Sequence, residues 1–212
     1  MTKRKILALV LTLALLFTQF SMLGVVSAAG NALSGREDNF AMGVAVHKSN
    51  GYEAYKRPYN AVLDAAALGS NLIRTDSDTD SYDVGFANLA KENGMDVLFV
   101  VGLGVSLKYK EGEKDGKNAG DLKEASDIDY QAIYDRFYSK ATALKDYNVY
   151  IQIANELADT YLKQGFSGKY SSSYNDVTAV AIAFYVANKA IQDANAVNGT
   201  DIQTIVNIAY NH

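Results

Sequence analysis

From Phe40 onward the chain alternates short apolar runs with longer amphipathic ones, and no other feature narrows the choice of fold so far. Strand-length runs separated by helical stretches are the pattern of successive βα units around a parallel sheet. The runs Phe40–Val46, Asn71–Arg74, Met95–Val101, Val149–Ala154 and Thr204–Ala209 are the predicted strands. Between them four helices are expected: Tyr59–Leu68, opened by the only proline, Pro58, and closed by Gly69; Tyr82–Glu92, ended by Asn93-Gly94; Tyr130–Lys145; and Val177–Ala196. Proline in a first turn and glycine just past a last one are ordinary helix boundaries. The stretch Lys108–Glu124 has no periodicity and reads as a solvated loop, or, at that length, as a lid or binding loop.

The N-terminus is of another kind. Lys3, Arg4 and Lys5 precede an apolar run from Ile6 to Phe17, and Val26-Ser27-Ala28 follows as a small-residue cleavage site. This order marks a secretory signal peptide over residues 1–28, so the remaining domain, 29–212, is expected to be secreted and extracellular. A transmembrane anchor is the alternative, but Thr18, Gln19 and Ser21 interrupt the run and leave it short for a bilayer.

Removal of those 28 residues leaves 184, with 17 Lys plus Arg against 24 Asp plus Glu, a net charge of −7. Such a domain repels nucleic acid and anionic membrane surfaces, so neither is an expected partner. The absence of cysteine excludes a disulfide framework and thiolate catalysis, and two histidines give little scope for zinc; neither metal nor organic cofactor is expected. Fifteen Tyr beside eight Phe and no Trp supply an excess of phenols, which suit surfaces that are at once apolar and hydrogen-bonding.

A complete eight-unit barrel takes about 250 residues, so this length suffices for about five βα units. Two α/β architectures fit: a self-contained open sheet, or an incomplete (β/α)8 TIM barrel represented by its front part.

Chemistry in parallel α/β proteins gathers at strand ends. In Tyr150-Ile151-Gln152-Ile153-Ala154-Asn155-Glu156-Leu157 an apolar strand runs straight into an amide and a carboxyl side chain. A carboxyl there is expected to be half desolvated, and desolvation lets it hold a proton near neutrality. The bland reading is that Glu156 caps a following turn while Arg74, at the end of the second strand, pairs with a neighbouring acid such as Asp76.

The counted series carries a resemblance. A strand Phe40–Val46 is followed by His47, a helix ends in Ala67-Leu68-Gly69-Ser70, and the strand Asn71-Leu72-Ile73-Arg74 comes next. A helix ending in Asn93-Gly94 then leads to Met95-Asp96-Val97-Leu98, and Ile151-Gln152-Ile153-Ala154-Asn155-Glu156 closes the fourth strand. This resembles the front five-eighths of the clan A retaining glycoside hydrolases, the (β/α)8 superfamily of cellulases, mannanases, xylanases and galactanases, over Phe40 to His212. The resemblance implies that Glu156 is the general acid/base, that Asn155 holds the sugar's 2-hydroxyl, that Arg74 supports the nucleophile, and that the partner is a polysaccharide or oligosaccharide. In the clan the nucleophile ends the seventh strand, which this chain does not contain. Retaining hydrolysis needs both carboxyls, about 5–5.5 Å apart.

Other motifs are weaker. Asp76-Ser77-Asp78-Thr79-Asp80 has the spacing of a calcium-loop start, but Ser81 stands where glycine is required and Ala87 where the bidentate glutamate is required. Gly102-Leu103-Gly104 lacks the third glycine of a dinucleotide fingerprint. His47 and Tyr210 are candidate substrate contacts at the ends of the first and fifth strands, and Tyr161, Phe166, Tyr170 and Tyr174 could stack on pyranose faces or merely cover helix ends. Asn198-Gly199-Thr200 matches a glycosylation acceptor. The competing functional class is a secreted, non-catalytic α/β domain that binds a glycan or a cell-wall partner.

Overall fold

The computed structural model describes residues 43–46, 52–103, 107–156, 162–164, 169–170 and 174–207. The predicted signal peptide, the head of the first predicted strand, His47, Gly104, Tyr161, Phe166, Tyr210 and His212 lie outside them. In chain order the elements are β1 (Gly43–Val46), α1 (Tyr52–Ala67), β2 (Leu72–Asp76), α2 (Asp80–Glu92), β3 (Asp96–Val101), α3 (Tyr130–Ala143), β4 (Val149–Ile153), β5 (Lys163–Gln164), β6 (Lys169–Tyr170), α4 (Tyr174–Asn198) and β7 (Gln203–Ile205).

The five longer-range strands form one parallel sheet in the order β1-β2-β3-β4-β7, so each helical crossover joins neighbouring strands in the same direction. That monotonic order separates the fold from a doubly wound sheet, where the order reverses at a switch point. Right-handed crossovers that always advance the same way place every helix on one face of the sheet. Burial agrees: Ile73, Val97, Phe99, Val101, Ile151 and Ile153, alternate residues of β2, β3 and β4, are all essentially inaccessible and join the helices' Phe86, Ile133, Phe137 and Ile191 in one core. Each such side chain contributes about 1.5–3 kcal/mol by leaving water. The other face carries Arg74, Asp76, Leu98, Tyr150 and Gln152, and it corresponds to the inside of a barrel wall. This is a partial (β/α) barrel.

Local chemistry explains most element ends. Thr79 caps α2 by accepting from the Tyr82 amide, and Asp129 caps α3 by accepting from the Ala132 amide at 2.9 Å. Gly69 and Gly94 leave α1 and α2 with φ of 80° and 70°, the left-handed turn that glycine adopts without a steric penalty. Along α4, Ala179, Ala183, Ala187, Ala190 and Ala194 form a buried stripe at helical spacing, and small side chains there let the helix approach its neighbours closely. The turn from α4 to β7 is fastened by Asn195, whose Oδ1 accepts from the Ile202 amide and the Thr200 hydroxyl while Nδ2 donates to the Ile202 carbonyl. Within the glycosylation pattern, the Asn198 amide nitrogen donates to the Ala194 carbonyl at 2.8 Å.

Several boundaries differ from expectation. Helix α1 starts at Tyr52, so Pro58 lies inside it rather than at its start; burial of Val62 and Ala65 anchors the helix despite the missing backbone donor. Strand β2 continues to Asp76 because Thr75 and Asp76 pair with Phe99 and Val100 of β3, which places Arg74 in mid-strand. The aromatic segment after β4 contains a short antiparallel pair, β5 with β6, that periodicity over so few residues cannot announce.

The largest difference is in the expected solvated loop. Leu107 and Tyr109 are buried, Lys108 bridges to Leu122, and backbone bonds from Lys123 to Leu107 and from Tyr109 to Asp121 tie the two limbs together. The Tyr109 hydroxyl donates to Asp127, and the ammonium groups of Lys114, Lys117 and Lys123 lie 5.8, 5.9 and 5.9 Å from its ring centre. Lys114 also bonds Asp127 at 2.6 Å and Glu124 at 3.1 Å. Charged residues that read as a solvated run are thus wrapped around one aromatic ring.

This loop has a definite pH signature. Hydrogen bonds from Lys114, then from Tyr109, hold the Asp127 carboxyl below its ordinary range; those from Lys114 and Lys117 do the same for Glu124. A carboxyl whose folded pKa is depressed contributes stability that is full above its unfolded value, about 3.9–4.3, and is lost as pH falls through the lower folded value. Amide exchange at Tyr109 and Lys123, corrected for intrinsic chemistry, is therefore expected to accelerate below about pH 4, and sooner in high salt, while Phe99 in β3 stays protected. Uniform acceleration at all three amides would contradict a local acid opening.

Candidate active site

Strand β2 presents Arg74 and strand β4 presents Gln152 on the face away from the helices. In register, Arg74 stands level with Leu98 and Tyr150, two residues below Gln152, so its guanidinium reaches across β3 toward the upper end of β4. Nε donates to Gln152 Oε1 at 3.2 Å and Nη2 donates to Asn155 Oδ1 at 2.8 Å. Gln152 Nε2 donates to the Ala154 carbonyl at 2.8 Å and to Asn155 Oδ1 at 3.3 Å. From beyond β7, Asn207 Nδ2 reaches the same Asn155 oxygen at 3.5 Å. Side chains from strands two, four and five of the sheet thus converge at the C-terminal rim, where a (β/α) barrel assembles its chemistry.

The turn that carries Asn155 is held in an unusual shape. The Ala154 amide still bonds Val101 of β3 at 2.8 Å, but Ala154 and Glu156 have φ of 62° and 46°. Left-handed backbone at a residue other than glycine costs about 1–3 kcal/mol and persists where surrounding contacts impose it. Here the backbone leaves the sheet through two such residues in three, turning Asn155 and Glu156 out from the strand.

Of the residues singled out in the sequence, the structure brings Arg74 and Asn155 into direct contact and puts Glu156 beside them in the chain. His47 and Tyr210 lie outside the described residues. One expectation is corrected: Glu156 is exposed rather than half desolvated, because the left-handed turn swings it clear of the sheet. Sequence reasoning missed Gln152 and Asn207. A lone glutamine between Ile151 and Ile153 gives no signal until pairing assigns it a face, and Asn207 stood inside a run read as strand.

Next to this network, the β2–α2 turn is anchored from α3. Lys140 is 3% exposed and its ammonium bonds Asp83 at 2.6 Å, Asp80 at 2.7 Å and the Asp78 carbonyl at 3.0 Å. Asp83, wholly buried, also accepts from the Ser77 hydroxyl at 2.6 Å and the Asp78 amide at 3.0 Å. The calcium-like spacing of Asp76, Asp78 and Asp80 is broken by this arrangement, since the Asp80 carboxylate turns to Lys140 and to Ser139 at 2.9 Å. Among the described residues no group of three or more metal-ligating side chains gathers into a site, and no helix is long and apolar enough to cross a membrane.

A monotonic parallel sheet with helices on one face and a polar rim at its C-terminal end defines a partial (β/α) barrel. Among solved structures the chain is similar to GH5_18 from Streptomyces cattleya in complex with GlcNAc (TM-score 0.52, 14% identity), with 79% of this chain and 44% of that one covered. It is similar also to the virulence factor SghA from Agrobacterium tumefaciens (TM-score 0.51, 10% identity, 78% and 46% covered) and to a beta-glucosidase from Exiguobacterium marinum (TM-score 0.51, 12% identity, 82% and 48% covered). The chain spans a little under half the length of these three. No protein-family model and no curated protein sequence matches it.

Proposed function

We propose that this chain is the front part of a secreted clan A retaining glycoside hydrolase acting on a β-linked polysaccharide or oligosaccharide, with Glu156 as general acid/base. The observation that carries the reading is the 2.8 Å bond from Arg74 to Asn155, which joins the second and fourth strands beside Glu156 at the C-terminal rim. The sugar class draws support from the similar structures, of which one is described with GlcNAc and SghA with its substrate analog salicin. Secretion rests on the N-terminal pattern alone, basic residues, apolar run and small-residue site.

Glu156 would donate its proton to the leaving glycosidic oxygen, then, as carboxylate, deprotonate the water that releases the sugar. Asn155 would orient the ring through its 2-hydroxyl, and Arg74 would place a fixed positive charge beside the second carboxylate. That nucleophile must come from further βα units that close the barrel. The test is to assay the 212-residue chain, and a form extended by three further βα units, on a panel of β-linked polysaccharides, following the anomer released by NMR. Turnover with retained configuration in the extended form alone is expected. Inverted product, or robust turnover by the 212-residue chain, would overturn this mechanism.

One observation favours the non-catalytic alternative: an exposed Glu156 lacks the dry surroundings that catalytic acids use. Saturable oligosaccharide binding without turnover in the extended form would select it.

A further inference from the structure

We infer that Asn207 is a ligand-binding residue that presents a carbonyl oxygen to a sugar hydroxyl, an assignment that rests on the sugar-site reading above. Two observations place it on the face where Arg74 and Gln152 stand. Tyr150 pairs with Gln203 and Gln152 with Ile205, and residues in register across a parallel pair share a face. Thr204, between them, turns the other way, and its hydroxyl donates to Asn188 Oδ1 of α4 at 2.8 Å. Continued for two residues past β7, the same alternation brings Asn207 to the barrel-interior side at the C-terminal rim, half-buried, and its 3.5 Å bond to Asn155 agrees with that placement.

Arg74 decides which end of the Asn207 amide is spoken for. A guanidinium only donates hydrogen bonds, so Asn155 turns Oδ1 to Arg74 Nη2. The Asn207 amide meets that same oxygen and must offer it the nitrogen, which directs its own Oδ1, the other branch of the group, away from Asn155. This is the one hydrogen bond of the Asn207 side chain among the described residues. Toward a ligand at the rim Asn207 is therefore an acceptor, and the group that satisfies it is an O–H, the donor that sugars carry in number. A site that accepts from a particular hydroxyl discriminates against the analogue lacking it, so Asn207 contributes specificity as well as affinity.

The test uses two substitutions in the full 212-residue chain, each titrated by NMR with cellobiose and with its monodeoxy analogues. Asn207→Ala removes both ends of the amide; Asn207→Asp loses the donation to Asn155 but keeps an oxygen for the ligand. The wild type is expected to bind one analogue about three- to tenfold more weakly than cellobiose, the worth of one neutral hydrogen bond. Asn207→Ala should bind cellobiose and that analogue equally weakly, whereas Asn207→Asp should still tell them apart. Equal losses for cellobiose and every analogue in both variants would mean that Asn207 acts only through Asn155, and an undiminished preference in Asn207→Ala would mean that it touches no ligand. Either result overturns the inference and leaves the sugar site standing. If the wild type binds none of these sugars, the sugar-site reading fails and this inference falls with it.

Discussion

Lys140→Met is expected to destabilise the fold by about 3–5 kcal/mol, the usual loss when one partner of a buried ion pair is removed. The ammonium has three donors and three acceptors, Asp83, Asp80 and the Asp78 carbonyl, so its burial is fully compensated. Methionine fills much of the volume but leaves Asp83, wholly buried, with only the Ser77 hydroxyl and the Asp78 amide to hold its charge. Asp80 responds as well. Burial pushes its carboxyl up, but the hydrogen bonds from Lys140 and Ser139 outweigh that and hold it below its ordinary range. In the parent its contribution is full above about pH 4 and fades as pH falls through the lowered value; without Lys140 the restraint goes. Because Ser77 and Asp78 follow directly on β2, the Arg74 side-chain resonances should broaden too. An unfolding free energy from urea titration within about 1 kcal/mol of the parent's would show that the lysine is dispensable.

Glu156→Gln in the extended form should lower turnover by about 10²–10⁴-fold, the range general acid–base groups contribute. Its melting temperature should not move, because glutamine keeps the size of an exposed side chain and the same left-handed backbone. Glu156→Gly is the informative companion. Relief of a φ of 46° returns about 1–2 kcal/mol, and glycine's greater freedom in the unfolded chain takes back about 0.5–1, leaving a net gain of about 0–1.5 kcal/mol. A variant that is both inactive and more stable is the mark of strain kept for function. Equal turnover by Glu156→Gln and the parent would falsify the acid/base assignment.

The order and kind of the βα units were legible in the sequence because their causes are local. Apolar runs of strand length, amphipathic stretches of helix length, and the stops at Gly69 and Asn93-Gly94 act over a few residues each, and five strands with four intervening helices follow from them. The position of Asn155 and Glu156 just past the fourth strand followed in the same way. Tertiary structure decided the rest. Arg74 meets Gln152 and Asn155 across 78 and 81 residues, and Lys140 meets Asp83 across 57, separations over which no periodicity carries information. Whether Gln152 faced helices or rim depended on the register of β3 against β4, and a one-residue slip would have reversed it. Tyr109 draws three lysines around its ring only because a backbone bridge folds the loop back on itself. The left-handed turn at Ala154 and Glu156 runs against the local preference of both residues; the sequence supplied the side chains for a site, and only packing across the sheet could force the backbone that presents them.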